Sequence, residues 1–201
     1  EMKGSIKLKT AMQTNLLWTG REYYSLENCL VSTTDLGFKI TSTIIGHYES
    51  KLYKVDYCIK TNLNWETVFF EINSRHSDQT QLIKFEGDGK GNWMSEGKKM
   101  PQFKGCIDID IPLTPFTNSL PINRLRLGLD QTQEIQVIYL DLLAQQITPV
   151  RQKYVRISSL EYHYENVPND FEANIQVDES GFVIDYPALF VRTVAIKTSY
   201  R

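Results

Sequence analysis

Apolar and polar residues alternate with a period of two along most of the chain. Leu36, Phe38 and Ile40 share one side of an extended segment, with polar or small residues between them. The same spacing recurs at 53–60, 68–72, 83–85, 135–139, 154–164 and 171–177. Turn-forming pairs such as Asp88-Gly89 and Ser180-Gly181 separate the segments, and such short connections make neighbouring strands antiparallel. The pattern predicts about a dozen strands and no long helix.

The chain length is consistent with one large all-β domain. At 201 residues it buries roughly 70% of its unfolded surface, so a sizeable core is available. We expect a single antiparallel β-roll or open barrel over residues 1–201, with one or two short helices and a loosely attached N-terminal segment at residues 1–15. A closed sheet of this size encloses an apolar lumen, whereas two packed sheets use the same residues as core. Alternation alone leaves both arrangements open.

The segment Gly105–Leu125, GCIDIDIPLTPFTNSLPINRL, interrupts the alternation and carries the densest polar chemistry. Asp108 and Asp110 lie on one side of a short strand, roughly 7 Å apart at about 3.3 Å per residue. That separation suits an acid and a base that flank a water in glycoside hydrolysis, which makes both residues weak catalytic candidates. The alternative is structural, with both carboxylates accepting hydrogen bonds from Arg124, Arg126 or the following turn.

A short helix is predicted after this strand. Thr114 has the character of an N-cap, Pro115 that of a first helical residue, and Pro121 is expected to end the helix. Thr117 and Asn118 fall on its first turn and are candidate ligand-binding residues. Arg124 (another candidate) beside a helix N-terminus suits an anionic head group, but the whole segment can equally be a plug that closes the open end of the sheet.

Composition excludes several functional classes. A net charge of −2 and a pI near 6.0 argue against a nucleic-acid partner. The three cysteines form no paired framework and fit a reducing compartment, and the N-terminal EMKGSIKLKT lacks the apolar stretch of a signal peptide. We therefore expect a cytoplasmic protein without an integral membrane segment. The histidines His47, His76 and His163 show no ligand spacing, so we expect no metal and no cofactor.

Aromatic residues supply the remaining candidates. Trp65 and Trp93 can stack on sugar rings, although a tryptophan on a strand is more often a core residue. Tyr162 and Tyr164 are expected beside Trp93 at the mouth of a binding site. Tyr154 lies among Arg151, Lys153 and Arg156, a pattern that a single-stranded nucleic acid can use but that usually marks a solvated strand face.

Several segments together resemble a bacterial family labelled putative glycolipid-binding. The residues that carry the resemblance are Trp18, Glu22, Glu27, Val55-Asp56-Tyr57, Trp65, Gly87-Asp88-Gly89, Trp93, 105–110, 114–122, Arg124-Leu125, 152–154, 162–164, Phe171, Val177-Asp178, Gly181, DYPALF at 185–190 and Arg192. Thr19, Glu66 and Asn123 stand where the family often has arginine, which weakens the case for an anionic head group.

The resemblance implies an open β-barrel similar in shape to the bacterial lipoprotein carriers, with a lipid or glycolipid as ligand and no established catalytic residues. We therefore favour non-enzymatic binding of a lipid or glycolipid in the apolar concave face. Two alternatives stay open: a sugar- or glycolipid-processing enzyme that uses Asp108 and Asp110, and a protein-interaction module with an exposed apolar patch.

Overall fold

The structure is a computed structural model that describes residues 11–200. Over that range it contains fifteen strands in one sheet, one α-helix and a single 3-10 turn at Pro101–Phe103. The strands are β1 (Ala11–Gly20), β2 (Ser25–Thr34), β3 (Gly37–Tyr48), β4 (Lys51–Asn62), β5 (Thr67–His76), β6 (Gln79–Gly87), β7 (Trp93–Ser95), β8 (Lys98–Lys99), β9 (Asp108–Asp110), β10 (Thr132–Asp141), β11 (Gln146–Ser158), β12 (Glu161–Val167), β13 (Glu172–Val177), β14 (Val183–Tyr186) and β15 (Phe190–Tyr200). The helix α1 spans Phe116–Leu125.

The sheet is a meander in which almost every strand pairs with its neighbour in the chain. Its order is β8-β7-β6-β5-β4-β3-β2-β1-β15-β14-β13-β12-β11-β10-β9, so the pairing of β1 with β15 joins the two halves of the chain. Within the described range, all pairs are antiparallel except β9 with β10, which run parallel. This arrangement confirms the prediction of an all-β, mostly antiparallel open barrel.

Alternating residues of each strand form the core, as the sequence pattern predicts. On β4, Tyr53, Val55, Tyr57 and Ile59 are buried on the inner face, while the residues between them face outward. Leu36, which the pattern placed beside Phe38 and Ile40, is instead 85% exposed in the turn between β2 and β3. The strand begins only at Gly37, so the expected alternation started one residue too early.

Helix α1 lies inside the curled sheet and fills its interior. Phe116 packs edge-on against Trp18 of β1 with ring centroids 6.5 Å apart. On the opposite side, Asn118 Nδ2 donates to the Tyr154 hydroxyl of β11 at 3.0 Å. Because contacts to both halves of the sheet come from a single helix turn, the concave face is packed core rather than an open lumen.

The ends of α1 differ from the sequence expectation. Pro115 is the residue that precedes the helix, and Thr114 Oγ1 accepts from the Phe116 N–H at 3.0 Å. Pro121 was predicted to end the helix, but it lies inside it, and the helix continues to Leu125. The helix tolerates the lost backbone donor because Leu120 and Ile122, on either side, are both buried against the surrounding strands.

The open seam of the barrel is bridged by the segment between β8 and β9. The Gly105 N–H donates to the Gly91 carbonyl at 2.9 Å, and the Trp93 indole donates to the Cys106 carbonyl at 2.7 Å. Gly91 has a φ of +78°, and a Cβ there would lie 2.7 Å from the Gly105 Cα. Only glycine lets the two backbones approach this closely.

The expected loose N-terminal segment is described only in part. Residues 11–15 belong to β1 and pair with β15, and from Gln13 onward they also pair with β2, whereas residues 1–10 lie outside the described range. Among the helices of residues 11–200, none is both long and apolar enough to cross a membrane.

Replacing Gly91 with alanine should weaken the seam. The added methyl group must displace the Gly105 backbone and also occupies a left-handed conformation, so we expect a loss of roughly 2–3 kcal/mol in the free energy of unfolding. Gly97→Ala is the matched control, because Gly97 has a φ of +75° but nothing within 4 Å of an added Cβ. Denaturant unfolding of both variants checks the prediction, and equal losses would show that the seam contact contributes nothing.

Candidate functional site

Hairpin turns from both halves of the sheet gather at one end of the barrel, which we name the turn end. The turns at 21–24, 49–50, 142–145, 168–171 and 187–189 lie there, and β9 runs toward them parallel to β10. A cavity of about 250 Å³ opens at this end, and we name it the aromatic cavity. Its lining residues are Glu22, Tyr23, Asp110, Pro112, Thr114, Asn118, Tyr139, Tyr164, Asn166, Phe171, Tyr186, Leu189 and Phe190.

Six of the thirteen residues that line the cavity are aromatic, and five of them contact one another. Tyr186 is central, with ring centroids 6.2 Å from Tyr164, 6.2 Å from Phe171 and 6.3 Å from Phe190. Phe190 in turn stacks on Tyr23 at 6.3 Å. Rings that brace one another in this way are held in fixed orientations, which suits the aromatic wall of a binding site.

Asp110 supplies the carboxylate at the base of the cavity. Its Oδ2 accepts from Gln152 Nε2 at 2.6 Å, and its Oδ1 accepts from the Thr117 hydroxyl at 3.1 Å. Both donors are neutral. Burial raises the pKa of Asp110 above its ordinary value, and these two hydrogen bonds offset part of that effect. Within the described residues, the result is a carboxylate with no cationic partner that lines a cavity of aromatic rings.

Neutral hydrogen-bonding groups surround this carboxylate. Asn118 uses its Nδ2 on the Tyr154 hydroxyl, which fixes the side chain amide at the cavity wall. The Tyr164 hydroxyl donates to Asn166 Oδ1 at 2.6 Å, so this tyrosine is also held in one orientation. The cavity therefore offers fixed polar atoms beside flat apolar surfaces, the usual composition of a site for a small polar ligand.

The neighbouring carboxylate, Asp108, is engaged in a different way. It is fully buried, and its Oδ2 accepts hydrogen bonds from Arg124 Nε at 3.1 Å and from Arg124 Nη2 at 2.6 Å. This two-pronged ion pair fastens β9 to α1. Asp108 does not line the aromatic cavity, so only one of the two predicted catalytic candidates faces it.

A second buried acid, Glu27 of β2, lies behind the cavity wall. Its Oε1 accepts from the Ser42 hydroxyl at 2.7 Å and from the Tyr57 hydroxyl at 2.7 Å. The Tyr57 hydroxyl is also 3.4 Å from Thr114 Oγ1, which lines the cavity. Within residues 11–200, Glu27 Oε2 has no hydrogen-bond partner. Burial raises the pKa of Glu27 from 4.5 to about 7.

An adjoining cavity of about 270 Å³ shares Tyr23, Pro112 and Tyr139 with the aromatic cavity. Its wall is partly apolar, formed by Tyr48, Leu113, Leu142 and Leu143, and partly charged. The charged residues that line it are Glu49, Lys51, His76 and Asp141. The two cavities together form one cleft across the turn end.

The structure brings together only part of the ligand-binding set expected from sequence. Asn118 and Tyr164 line the aromatic cavity, and Thr117 and Tyr154 contact residues that line it. The remaining candidates lie elsewhere. Trp65 stacks on Phe38 with centroids 4.1 Å apart at the opposite end, Trp93 borders an apolar groove of about 530 Å³, Tyr162 is a core residue, and Arg124 is paired with Asp108.

The sequence pattern does not single out Tyr23, Tyr139, Asn166, Tyr186 or Phe190 as site residues. Each lies within or close to a hairpin turn of the turn end, so their convergence depends on how the sheet curls. The one sequence signal is the segment DYPALF, which carries Tyr186 and Phe190 and contributes to the family resemblance.

One cluster of potential metal ligands is not apparent from the spacing of histidines along the chain. Ligand atoms of His163, Glu165 and Glu172 come within 4.8 Å of one another on the outer face of β12 and β13. Lys153 already pairs with Glu165, which places a cation of the protein itself at that position. The cluster is separate from the aromatic cavity.

Comparison with known proteins identifies relatives. The family model described as putative glycolipid-binding matches residues 15–192. A crystal structure of a DUF1089 family protein from Pseudomonas aeruginosa is 33% identical, with a TM-score of 0.76 over 83% of this chain and 92% of that chain. A β-barrel-like protein of DUF1849 from Brucella abortus shares the fold at 9% identity, with a TM-score of 0.53 over 98% of this chain and 100% of that chain. No curated protein sequence matches significantly.

The substitution Asp108→Asn should destabilise the fold strongly. It leaves the Arg124 guanidinium without its anion in a mostly buried place, which costs roughly 3–5 kcal/mol. Glu134→Gln is the control, since it breaks an exposed arginine–carboxylate pair with Arg151 and should cost less than about 1 kcal/mol. Denaturant unfolding measures both, and an Asp108→Asn variant as stable as the control would show that the buried pair does not hold the helix.

Stability should depend on the protonation of Glu27. Because its folded pKa, about 7, lies above its ordinary value of 4.5, the folded state binds the proton more tightly and stability falls as pH rises between these values. Glu27→Gln removes this dependence. Relative to the variant, the wild-type protein should lose roughly 2–3 kcal/mol between pH 5 and pH 8.

Urea unfolding at the two pH values measures this difference. Glu86→Gln, at an exposed position of β6, controls for the loss of one carboxylate and should follow the wild-type protein. If the free energy of unfolding changes with pH in the same way for the wild-type protein and Glu27→Gln, the raised pKa of Glu27 is contradicted.

Proposed function

The chain belongs to the family described as putative glycolipid-binding, and we propose that it binds the sugar head group of a glycolipid in the aromatic cavity, without catalysis. The observation that carries this proposal is the composition of that cavity. Its aromatic faces suit the C–H faces of a sugar ring, and Asp110, Asn118 and Thr114 suit its hydroxyl groups.

Size and location define how the ligand is bound. A volume of about 250 Å³ suits one sugar ring and is smaller than the sites that hold drug-sized molecules. The acyl chain has no room in the concave face, because α1 fills it. We place the lipid side of the ligand in the adjoining cavity, where Leu113, Leu142 and Leu143 supply apolar surface.

The hydrolytic alternative is less well supported by the geometry. An acid and a base must flank the bond that is cleaved, so both carboxylates have to reach one ligand. Asp110 lines the cavity, whereas Asp108 accepts three hydrogen bonds from Arg124 and is 0% exposed. The proposal therefore gives Asp108 a structural role and Asp110 a role in binding.

The proposal also includes a bacterial cytoplasmic setting. Cys29, Cys58 and Cys106 are all free thiols, which supports a reducing compartment. The two similar solved structures come from Pseudomonas aeruginosa and Brucella abortus, which supports a bacterial origin.

Native mass spectrometry after incubation with a bacterial glycolipid extract tests the function. The wild-type protein should retain one glycolipid, and Tyr186→Leu should bind it at least tenfold more weakly, because the central ring of the cavity wall is lost. A tenfold loss corresponds to about 1.4 kcal/mol.

Tyr162→Leu is the matched control for this experiment. It removes an equally buried tyrosine from the same half of the core, but Tyr162 does not line the cavity. Retention by this control together with loss in Tyr186→Leu locates the ligand. Equal retention by both variants, or no glycolipid retained by the wild-type protein, would refute the proposal.

A further inference from the structure

The aromatic cavity is acidic. Two carboxylates line it, Asp110 at its base and Glu22 at its rim, and none of its lining residues within the described chain is lysine, arginine or histidine. The nearest basic residue in sequence, Arg21, is paired with Asp185 at 2.9 Å. The lining of the adjoining cavity contains two acidic residues, Glu49 and Asp141, and two basic residues, Lys51 and His76.

Arg124, the arginine that the sequence suggests for binding an anionic ligand, does not line this cavity. Its guanidinium forms an ion pair with Asp108 instead. Asp110, by contrast, receives side-chain hydrogen bonds from residues 11–200 only through the amide of Gln152 and the hydroxyl of Thr117. An anionic head group would therefore meet an uncompensated carboxylate, whereas a cation would meet an available partner.

The Asp110 carboxylate also affects the tyrosines of the cavity. Burial raises the pKa of Tyr139, to about 12, and the pKa values of Tyr164 and Tyr186, and the charge of the nearby Asp110 carboxylate adds to the shift. A field that opposes a phenolate favours a positive charge in the same space.

The ring arrangement provides a second attraction for a cation. Six aromatic side chains line the cavity, and three of them, Tyr164, Tyr186 and Phe171, meet pairwise at centroid distances of 6.2 Å. The electron-rich faces of such rings attract ammonium groups, and cages of this kind are a recurrent solution for binding alkylammonium ligands. A cage that also contains a carboxylate attracts a cation by two independent means.

We propose that the aromatic cavity selects a head group with a positively charged ammonium, held between Asp110 and the surrounding aromatic rings. The inference rests on the proposed glycolipid function and narrows its ligand to the class of amino sugars with a free amine. A choline-type head group has the same ammonium chemistry, so the experiment must distinguish the two sources.

Four probes at near-neutral pH separate the hypotheses: methyl glucosaminide with a free ammonium, its N-acetyl derivative, methyl glucuronide and choline. Binding is measured from amide chemical shifts of the full chain as each probe is titrated. Methyl glucosaminide should bind at least tenfold more tightly than the N-acetyl derivative, which has the same ring without the charge. Methyl glucuronide should be the weakest of the sugars.

Variants show whether the selectivity arises in this cavity. Asp110→Asn should reduce the preference for methyl glucosaminide over its N-acetyl derivative at least tenfold, beyond any loss of affinity that the two sugars share. Because Asp110 also holds Gln152 and Thr117, Glu22→Gln provides a second test at an exposed rim position, where a smaller loss of preference is expected. Glu179→Gln, an exposed position outside the cavity lining, is the control and should leave the preference unchanged.

Each outcome separates the inference from the function on which it rests. Equal binding of methyl glucosaminide and its N-acetyl derivative, or tighter binding of methyl glucuronide, leaves sugar binding intact and overturns the charge selectivity. Binding of choline at least tenfold tighter than either glucosamine derivative supports the ammonium site but refutes the sugar ligand. No binding by any probe at 10 mM, a concentration that detects even contacts worth about 3 kcal/mol, overturns both.

Discussion

The ion pair between Asp108 and Arg124 is the constraint on which the rest of the molecule depends. It joins the one parallel strand, β9, to the one α-helix of the described chain, and it does so where the carboxylate is fully buried. A buried carboxylate requires an oppositely charged partner that also satisfies its hydrogen bonds, and the guanidinium group of Arg124 does both. Once α1 is fixed in this way, it occupies the concave face, and the sheet curls around a solid core.

Within the described chain, the second carboxylate of the same short strand has no cationic partner. Asp110 lies two residues closer to the turn end, makes no hydrogen bond with Arg124 and accepts from the neutral side chains of Thr117 and Gln152. The two aspartates therefore have opposite roles, although their sequence context is nearly identical. One stabilises the packing of the helix, and the other gives the cavity its charge. The short strand β9 therefore contributes both to the packing of the helix, through Asp108, and to the proposed selection of the ligand, through Asp110.

Much of the fold follows from the sequence, and little of the site does. Alternation on β4 and its neighbours predicts strands with one buried face because most inner residues are apolar, and the short turns between them make the strands antiparallel. The path of residues 105–127 is harder to predict: Pro121 suggests a helix end, but burial of Leu120 and Ile122 outweighs the missing donor. Here tertiary packing overrides a local rule.

The site is assembled from turns that are distant in sequence. Glu22, Asp110, Phe171 and Tyr186 meet only because the meander curls and closes at the seam formed by Gly91 and Gly105. Tryptophans are the more prominent aromatic signal in the sequence, yet Trp65 packs against Phe38 at the end opposite the turn end, and Trp93 bonds to the Cys106 carbonyl at the seam. A single sequence carries no pattern that distinguishes a tyrosine beside a cavity from one in the core, as Tyr186 and Tyr162 illustrate.

The most direct test of the account is to locate a bound sugar by intermolecular nuclear Overhauser effects. With methyl glucosaminide bound to the full chain, the account predicts effects between the sugar ring protons and the ring protons of Tyr164 and Tyr186. Effects to Trp93 and Met100 instead would place the ligand in the apolar groove at the other end of the barrel and would contradict the assignment of the aromatic cavity as the binding site.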